Sequence, residues 1–346
     1  MPFTCVPNVS NNQIIKAGET LIAAEYSKEE YKRAYELATQ WRACHAYPIN
    51  TFQSLLRKRI RVGNYTGETI VAQRLKRMPT IIEKLKLYPR MNLSNMQDIG
   101  GIRAVLDSVD DVYKLRDEYV NGKFAHKLIN ERNYINEPRS EDGYRSLHLI
   151  YKYQNTRNPA YDGLRVELQI RTKLQHLWAT AVETMGTFLG QALKSRQGSQ
   201  DWLNFFALTS SAFSYIEKTP QIPKYSHLSR EETSNEITNI DKKLGVVEKM
   251  SGLSAAVKYL SKTKGSSYHL IILNSLAKTV EIRNFDRDSL DLALSSYDEV
   301  EKEAIQNKKI EPVLVSAGKI ENVRKAYPSF FLDISEFLRL VLQITR

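Results

Sequence analysis

Val166-Glu-Leu-Gln-Ile-Arg-Thr172 is the stretch that decides the fold. Val166, Leu168 and Ile170 alternate with Glu167, Gln169 and Arg171, the period-two pattern of a strand with one buried face and one polar face. Just upstream, Gly143-Tyr-Arg-Ser-Leu-His148 leads into a second strand over 146–154, and Asn-Pro-Ala-Tyr-Asp-Gly (158–163) is a turn signal between the two. Further out, 127–135 and 100–108 read as strands, and 109–120 as a helix. Residues 70–76 form another strand candidate, followed by a helix opened by Pro79 and running to Leu87. After the central stretch, Leu174, Leu177, Trp178, Ala181, Val182 and Met185 recur at helical spacing. Strands and helices in this order predict an α+β fold built on a mixed β-sheet flanked by helices.

Towards the N-terminus, Ser27 and Glu30 form a capping box for a helix ending before Pro48, and a second helix is expected over 52–61. Thr219–Lys224 reads as a linker. Beyond it, 231–262 is largely helical with breaks at Gly245 and Gly252, three strand candidates (268–275, 278–285 and 311–317) surround a helix over 289–307, and a last helix covers 334–344. The organisation expected is an N-terminal helical segment (1–50), a main domain (51–218), a helical linker (219–262) and a small α+β module (263–346).

Bulk composition narrows the class. A chain of 346 residues with 42% hydrophobic and 26% charged residues is an ordinary globular composition, long enough for two domains. The start, Met-Pro-Phe-Thr-Cys, lacks the basic and apolar runs of a signal peptide, and no apolar run approaches the roughly 20 residues of a membrane span. A cytoplasmic location without a membrane partner is expected. Cys5 and Cys44 cannot form a disulfide framework or a cysteine-rich zinc site. The net charge of +11 is localised: residues 225–346 hold 18 Lys and Arg against 17 Asp and Glu, so the excess lies in the first two thirds. Such a surface attracts phosphate, whether of a nucleotide or of an RNA backbone.

Several side chains point to phosphate chemistry. Arg74 and Lys76 share a strand face, and Thr80 and Lys84 share a face of the next helix, so three cations and a hydroxyl converge near a strand-to-helix junction suited to a triphosphate. Asp98 precedes the strand of Arg103, and Glu167 lies on a polar strand face. Mg²⁺ takes one or two carboxylates plus substrate phosphates, and these two could share one if their strands are neighbours. Each could equally pair with Arg103 or Arg171. Glu167 could also accept a proton from an attacking hydroxyl. Tyr144, after a flexible glycine, could stack on a base or tuck against the sheet edge. His148 could contact phosphate or hydrogen-bond internally.

Taken together, these segments resemble the synthetase domain of the RelA/SpoT superfamily of ATP-dependent pyrophosphokinases, a nucleotidyltransferase-like fold, over roughly residues 50–190. The resemblance implies ATP binding by Arg74, Lys76, Thr80, Lys84 and Arg103, Mg²⁺ held by Asp98 and Glu167, and Glu167 as base. It implies an acceptor site of Tyr144, His148, Asp142 and Arg145, with Tyr144 stacking on the acceptor base. The chemistry implied is transfer of the β,γ-pyrophosphate of ATP to a ribose 3′-hydroxyl. No His-Asp doublet of the HD hydrolase type is present. One departure stands out: where alarmone synthetases carry Lys and Asn before Gly-Tyr, this chain has Ser140 and Asp142.

The segments 47–52, 177–184 and 326–333 are further similar to fused toxic small alarmone synthetases of the CapRel type. That likeness implies transfer to the 3′-terminal adenosine of the tRNA CCA end, with GDP or GTP as the alternative acceptor of a (p)ppGpp synthetase. It implies a C-terminal module, resembling a metal-free zinc finger, that inhibits in cis through Tyr327 and Phe330. A phage protein such as the capsid would be its trigger, in an anti-phage toxin–antitoxin.

Overall fold

The computed structural model describes residues 8–189, 200–247, 250, 268–274, 279–307, 310–316 and 335–346. A five-stranded sheet in the order β1-β2-β5-β4-β3 organises the first two thirds of the chain. Its strands are β1 (Ile70–Leu75), β2 (Gly100–Leu106), β3 (Lys127–Asn133), β4 (Leu147–Lys152) and β5 (Arg165–Thr172). β2 and β5 are parallel, with Gly101 opposite Glu167 and Arg103 opposite Gln169, and the other three pairings are antiparallel. The sheet is mixed, as expected.

The alternation in β5 settles which face is buried. Val166, Leu168 and Ile170 are fully buried with Ile102, Ala104, Leu147 and Leu149, in a core that includes residues of the N-terminal helices. Those helices are α1 (Asn11–Ile22), α2 (Lys28–Cys44) and α3 (Ala46–Val62), joined by α4 (Met78–Leu87) and α5 (Val109–Val120). The capping box at Ser27 opens α2 as expected. α3, however, begins at Ala46, ahead of the expected start at Phe52, and takes Pro48 into its first turn. Proline is tolerated there because the first backbone N–H groups of a helix have no intrahelical acceptor.

A second apolar cluster forms from α6 (Lys173–Leu189), α7 (Gln200–Glu217), α8 (Arg230–Leu244) and a helix near the C-terminus, α10 (Ser335–Ile344). α8 ends at Gly245, whose φ of 62° closes the helix in the left-handed region. The third unit is a sheet in the order β7-β6-β8, made of β6 (Tyr268–Asn274), β7 (Thr279–Phe285) and β8 (Ile310–Ser316), with α9 (Leu290–Gln306) packed on it. Tyr327 and Phe330 lie outside the described residues. Among those described, no helix is long and apolar enough to cross a membrane.

The third unit meets the first through charge. Glu301 of α9 is 1% exposed. Its carboxylate accepts from Arg42 Nη1 at 3.2 and 3.1 Å, from the Tyr297 hydroxyl at 2.8 Å and from the backbone N–H of Met78 at 2.6 Å. Met78 opens α4, so a carboxylate caps the positive end of that helix.

Candidate active site

Pairing register assembles the polar face of the sheet. Partners in a ladder point the same way, so Arg74 (opposite Gly101), Arg103, Glu167, Gln169, Arg171 and His148 (opposite Gln169) share one face across four strands. In its middle sits Gly101, between Arg74 on one side and Glu167 on the other. A Cβ there would meet nothing nearer than the Arg74 carbonyl at 4.0 Å.

Asp98 lies just before β2. Its Oδ2 accepts from Lys76 Nζ at 3.0 Å and from Lys84 Nζ at 2.9 Å. Burial works against its charge, but the two ammonium groups hold the carboxyl well below the usual range. Lys76 is pushed down, first by burial and then by Lys84 and Arg74, against the pull of Asp98.

Glu167 Oε1 lies 3.0 Å from His148 Nδ1, and Gln169 Nε2 donates to Oε2 at 2.8 Å. On its other side, His148 Nε2 is 2.8 Å from the Tyr144 hydroxyl. Burial opposes a charge on His148, yet Tyr144 and Glu167 together carry it up to about 9. Glu167 is likewise resisted by burial and held down by His148, while the charge of Asp98 pushes back. The two carboxylates therefore occupy one neighbourhood.

Among the described residues no group of three or more His, Cys, Asp or Glu could hold a metal, and the site itself offers the carboxylate pair Asp98 and Glu167. That pair fits Mg²⁺, whose remaining ligands are commonly phosphate oxygens and water. Asp98 Oδ1 is buried and has no hydrogen-bond partner, which leaves one lone-pair oxygen for a cation.

Sequence reasoning left Arg171 out of the site. It is 2% exposed, donates to His176 Nδ1 at 2.6 Å and is pushed down to about 9 by burial and by the neighbouring Arg103. Its signal was its place two residues after Gln169 on the Glu167 face. With buried Arg103 and half-buried Arg74, Lys76 and Lys84 it makes a cation excess over Asp98 and Glu167. Such an excess favours binding of an anion of high charge.

The acceptor-side residues have distinct surroundings. Tyr144 is 6% exposed and meets Tyr134, His148 and Trp178 in edge contacts. Arg139, which sequence reasoning passed over, lies on its ring with the guanidinium carbon 4.5 Å from the centroid. Asp142 is buried and paired with Arg139. Arg145 points away from the phosphate side: it donates to Ser210 Oγ at 3.0 Å and to the Ile135 carbonyl and Thr219 at 3.3 Å. Gly143 has φ 83° and lies against α7, where a Cβ would sit 2.7 Å from Ser210 Cβ. Thr80, in the first turns of α4, is half-buried.

Residues 73–186 match the family model described as the region found in RelA / SpoT proteins. GTP pyrophosphokinase YjbM of Bacillus subtilis is 36% identical over 112 residues, covering 32% of this chain and 52% of that protein. GTP pyrophosphokinase YwaC of the same organism is 28% identical over 115 residues, covering 31% and 52%. The chain thus spans about half the length of these curated relatives. The crystal structure of small alarmone synthetase 1 from Bacillus subtilis bound to its product pppGpp aligns with a TM-score of 0.44 at 24% identity, over 55% of this chain and 94% of that one. Every residue of the polar sheet face lies inside the stretch, 73–186, over which this chain matches the region that RelA and SpoT proteins share.

Proposed function

We propose that this chain is an ATP pyrophosphokinase. The observation that carries the reading is the excess of buried and half-buried cations beside the Asp98–Glu167 pair. Arg74, Arg103, Lys76 and Lys84 bind and orient the triphosphate, and Arg171 adds charge from beneath. Asp98 and Glu167 would hold Mg²⁺, which would supply neutralisation of the phosphate charge. Glu167 takes the proton from the acceptor 3′-hydroxyl. The new bond joins that oxygen to the β-phosphorus, the α,β-bridge breaks, and AMP leaves. His148 orients Glu167 from one side and Tyr144 from the other.

The acceptor is a guanosine nucleotide, which makes the product a (p)ppGpp-type alarmone. The names of the two curated relatives support this choice. A second reading, transfer to the 3′-terminal adenosine of tRNA with arrest of translation, draws on the net charge of +11, which lies almost wholly in the first two thirds of the chain and would attract an RNA backbone. The buried Glu301 contact supports regulation of either activity by the C-terminal unit, the arrangement of a self-inhibited toxin. Offering ATP labelled on its γ-phosphate separately to GDP, GTP and tRNA tests the reading. Label on the guanosine nucleotides supports it, label on tRNA alone transfers the conclusion to the second reading, and no label on any acceptor overturns both.

A further inference from the structure

Tyr144 is the ring expected to receive the acceptor base, and its face is already taken. The Arg139 guanidinium carbon stands 4.5 Å from the ring centroid. Its Nε donates to Asp142 Oδ1 at 3.1 Å, and its Nη2 donates to the other oxygen, Oδ2. Asp142 is 1% exposed, and its Oδ1 also accepts the backbone N–H of Tyr144 at 3.0 Å. The loop holds this geometry itself: the Gly143 N–H donates to the Arg139 carbonyl at 2.9 Å. Arg139 keeps 21% of its side chain in solvent, so it forms the outer layer over a covered ring.

A flat group thus lies on a phenol ring and sends two neighbouring N–H bonds into the two oxygens of one carboxylate. Among the common bases only guanine presents that pattern, through N1–H and the N2 amino group on one edge. Adenine and cytosine set one amino group beside a ring-nitrogen lone pair, which a carboxylate repels. Uracil has a single N–H between two carbonyls.

We propose that Arg139 is a plug that occupies the acceptor-base subsite in the manner of guanine. Guanine displaces it, stacks on Tyr144 and takes both oxygens of Asp142. Asp142 is then the specificity-determining residue. An adenine-ended acceptor, once it has moved Arg139, leaves this carboxylate without its donors, so the site prefers guanine. The proposal rests on the pyrophosphokinase reading for the purpose of the site, but its geometry concerns binding alone.

The test is calorimetric binding of GDP and ADP to the full chain, with a non-transferable ATP analogue present, for wild type, Arg139→Ala and Asp142→Asn. Loss of a partly desolvated cation–ring contact predicts GDP binding about tenfold tighter in Arg139→Ala, with ADP still weak. Asp142→Asn, which swaps one acceptor for a donor, is expected to abolish the preference for GDP. Arg139→Gln, which keeps a polar side chain on the same loop, stands in if Asp142→Asn does not fold, and should fall between wild type and Arg139→Ala. GDP binding unchanged or weaker in Arg139→Ala overturns the plug, as does a GDP preference that survives Asp142→Asn. The two readings fail separately. Tighter GDP binding in Arg139→Ala without transfer to any acceptor removes the proposed activity and keeps the plug. Transfer to GDP with unchanged binding and KM in Arg139→Ala does the reverse. Short RNAs ending in guanosine and in adenosine, run beside GDP, distinguish a free nucleotide from an RNA end as the source of the base.

Discussion

Replacing Glu301 with alanine removes five acceptor contacts at once from a buried place, one of them a long 3.5 Å bond from the Tyr35 hydroxyl. Arg42, 3% exposed, keeps only Asp298 at 3.0 Å and the ring of Tyr297, whose centroid is 4.9 Å from its guanidinium carbon. The Met78 N–H loses its 2.6 Å acceptor, and the Tyr297 hydroxyl its 2.8 Å one. Breaking a buried ion pair by deleting one partner costs about 3–5 kcal/mol. The retained Asp298 keeps Arg42 at the lower end, near 3 kcal/mol, and the uncapped helix start adds about 1 kcal/mol. We therefore expect Glu301→Ala to lose about 4 kcal/mol in urea unfolding followed by tryptophan fluorescence, a large part of typical total stability. In Arg42→Met/Glu301→Leu the charges leave together, so most of that loss should be absent. A double-mutant cycle then returns a coupling of about 2–3 kcal/mol. A loss below 1 kcal/mol in Glu301→Ala, with coupling near zero, would refute the reasoning, because it would mean that Glu301 and Arg42 do not meet in solution.

Other expectations follow from the same side chains. His45 is buried, donates from Nδ1 to the Trp41 carbonyl at 2.9 Å, and is held by burial at about 4 against an ordinary 6.5. The unfolded chain binds a proton below about 6.5 that the folded chain refuses until about 4, so about 3 kcal/mol of stability present above pH 6.5 is lost on acidification through that window. An equilibrium unfolding series from pH 7 to 4 should show this slope, and His45→Gln should flatten it. Glu167→Gln should lower kcat by roughly three orders of magnitude, read as label transfer, with native folding checked by circular dichroism. Gly143→Ala forces a Cβ to 2.7 Å from Ser210 Cβ at a φ of 83°, and should cost about 3 kcal/mol by chemical denaturation.

Some of this molecule is written locally and some is not. The alternation in 166–172 places Glu167 on an open polar face without reference to any other strand, and Pro79 marks the start of α4 within a residue. α7 went unread because all of Trp202 through Ser214 except Asn204 are buried, so its sequence shows no amphipathic stripe. Pro48 misplaced a boundary because proline both ends helices and fits their first turn. The Glu301 contact is beyond any local pattern, since its partner Arg42 lies 259 positions away. Arg139 is only five residues before Tyr144, yet its position over the ring depends on a loop whose closure runs through a left-handed glycine.

Gly101 carries a further consequence. A glycine inside a central strand gives up packing and backbone stiffness, a local sacrifice of about 0.5–1 kcal/mol. Nothing in the surrounding fold demands that sacrifice, because the nearest atom to an added Cβ is 4.0 Å away. Folding alone would favour a branched residue at this point. The bare backbone instead keeps a corridor clear between the cations of β1 and the carboxylate of β5. It makes position 101 the place where the needs of a stable sheet and those of a working surface pull in opposite directions.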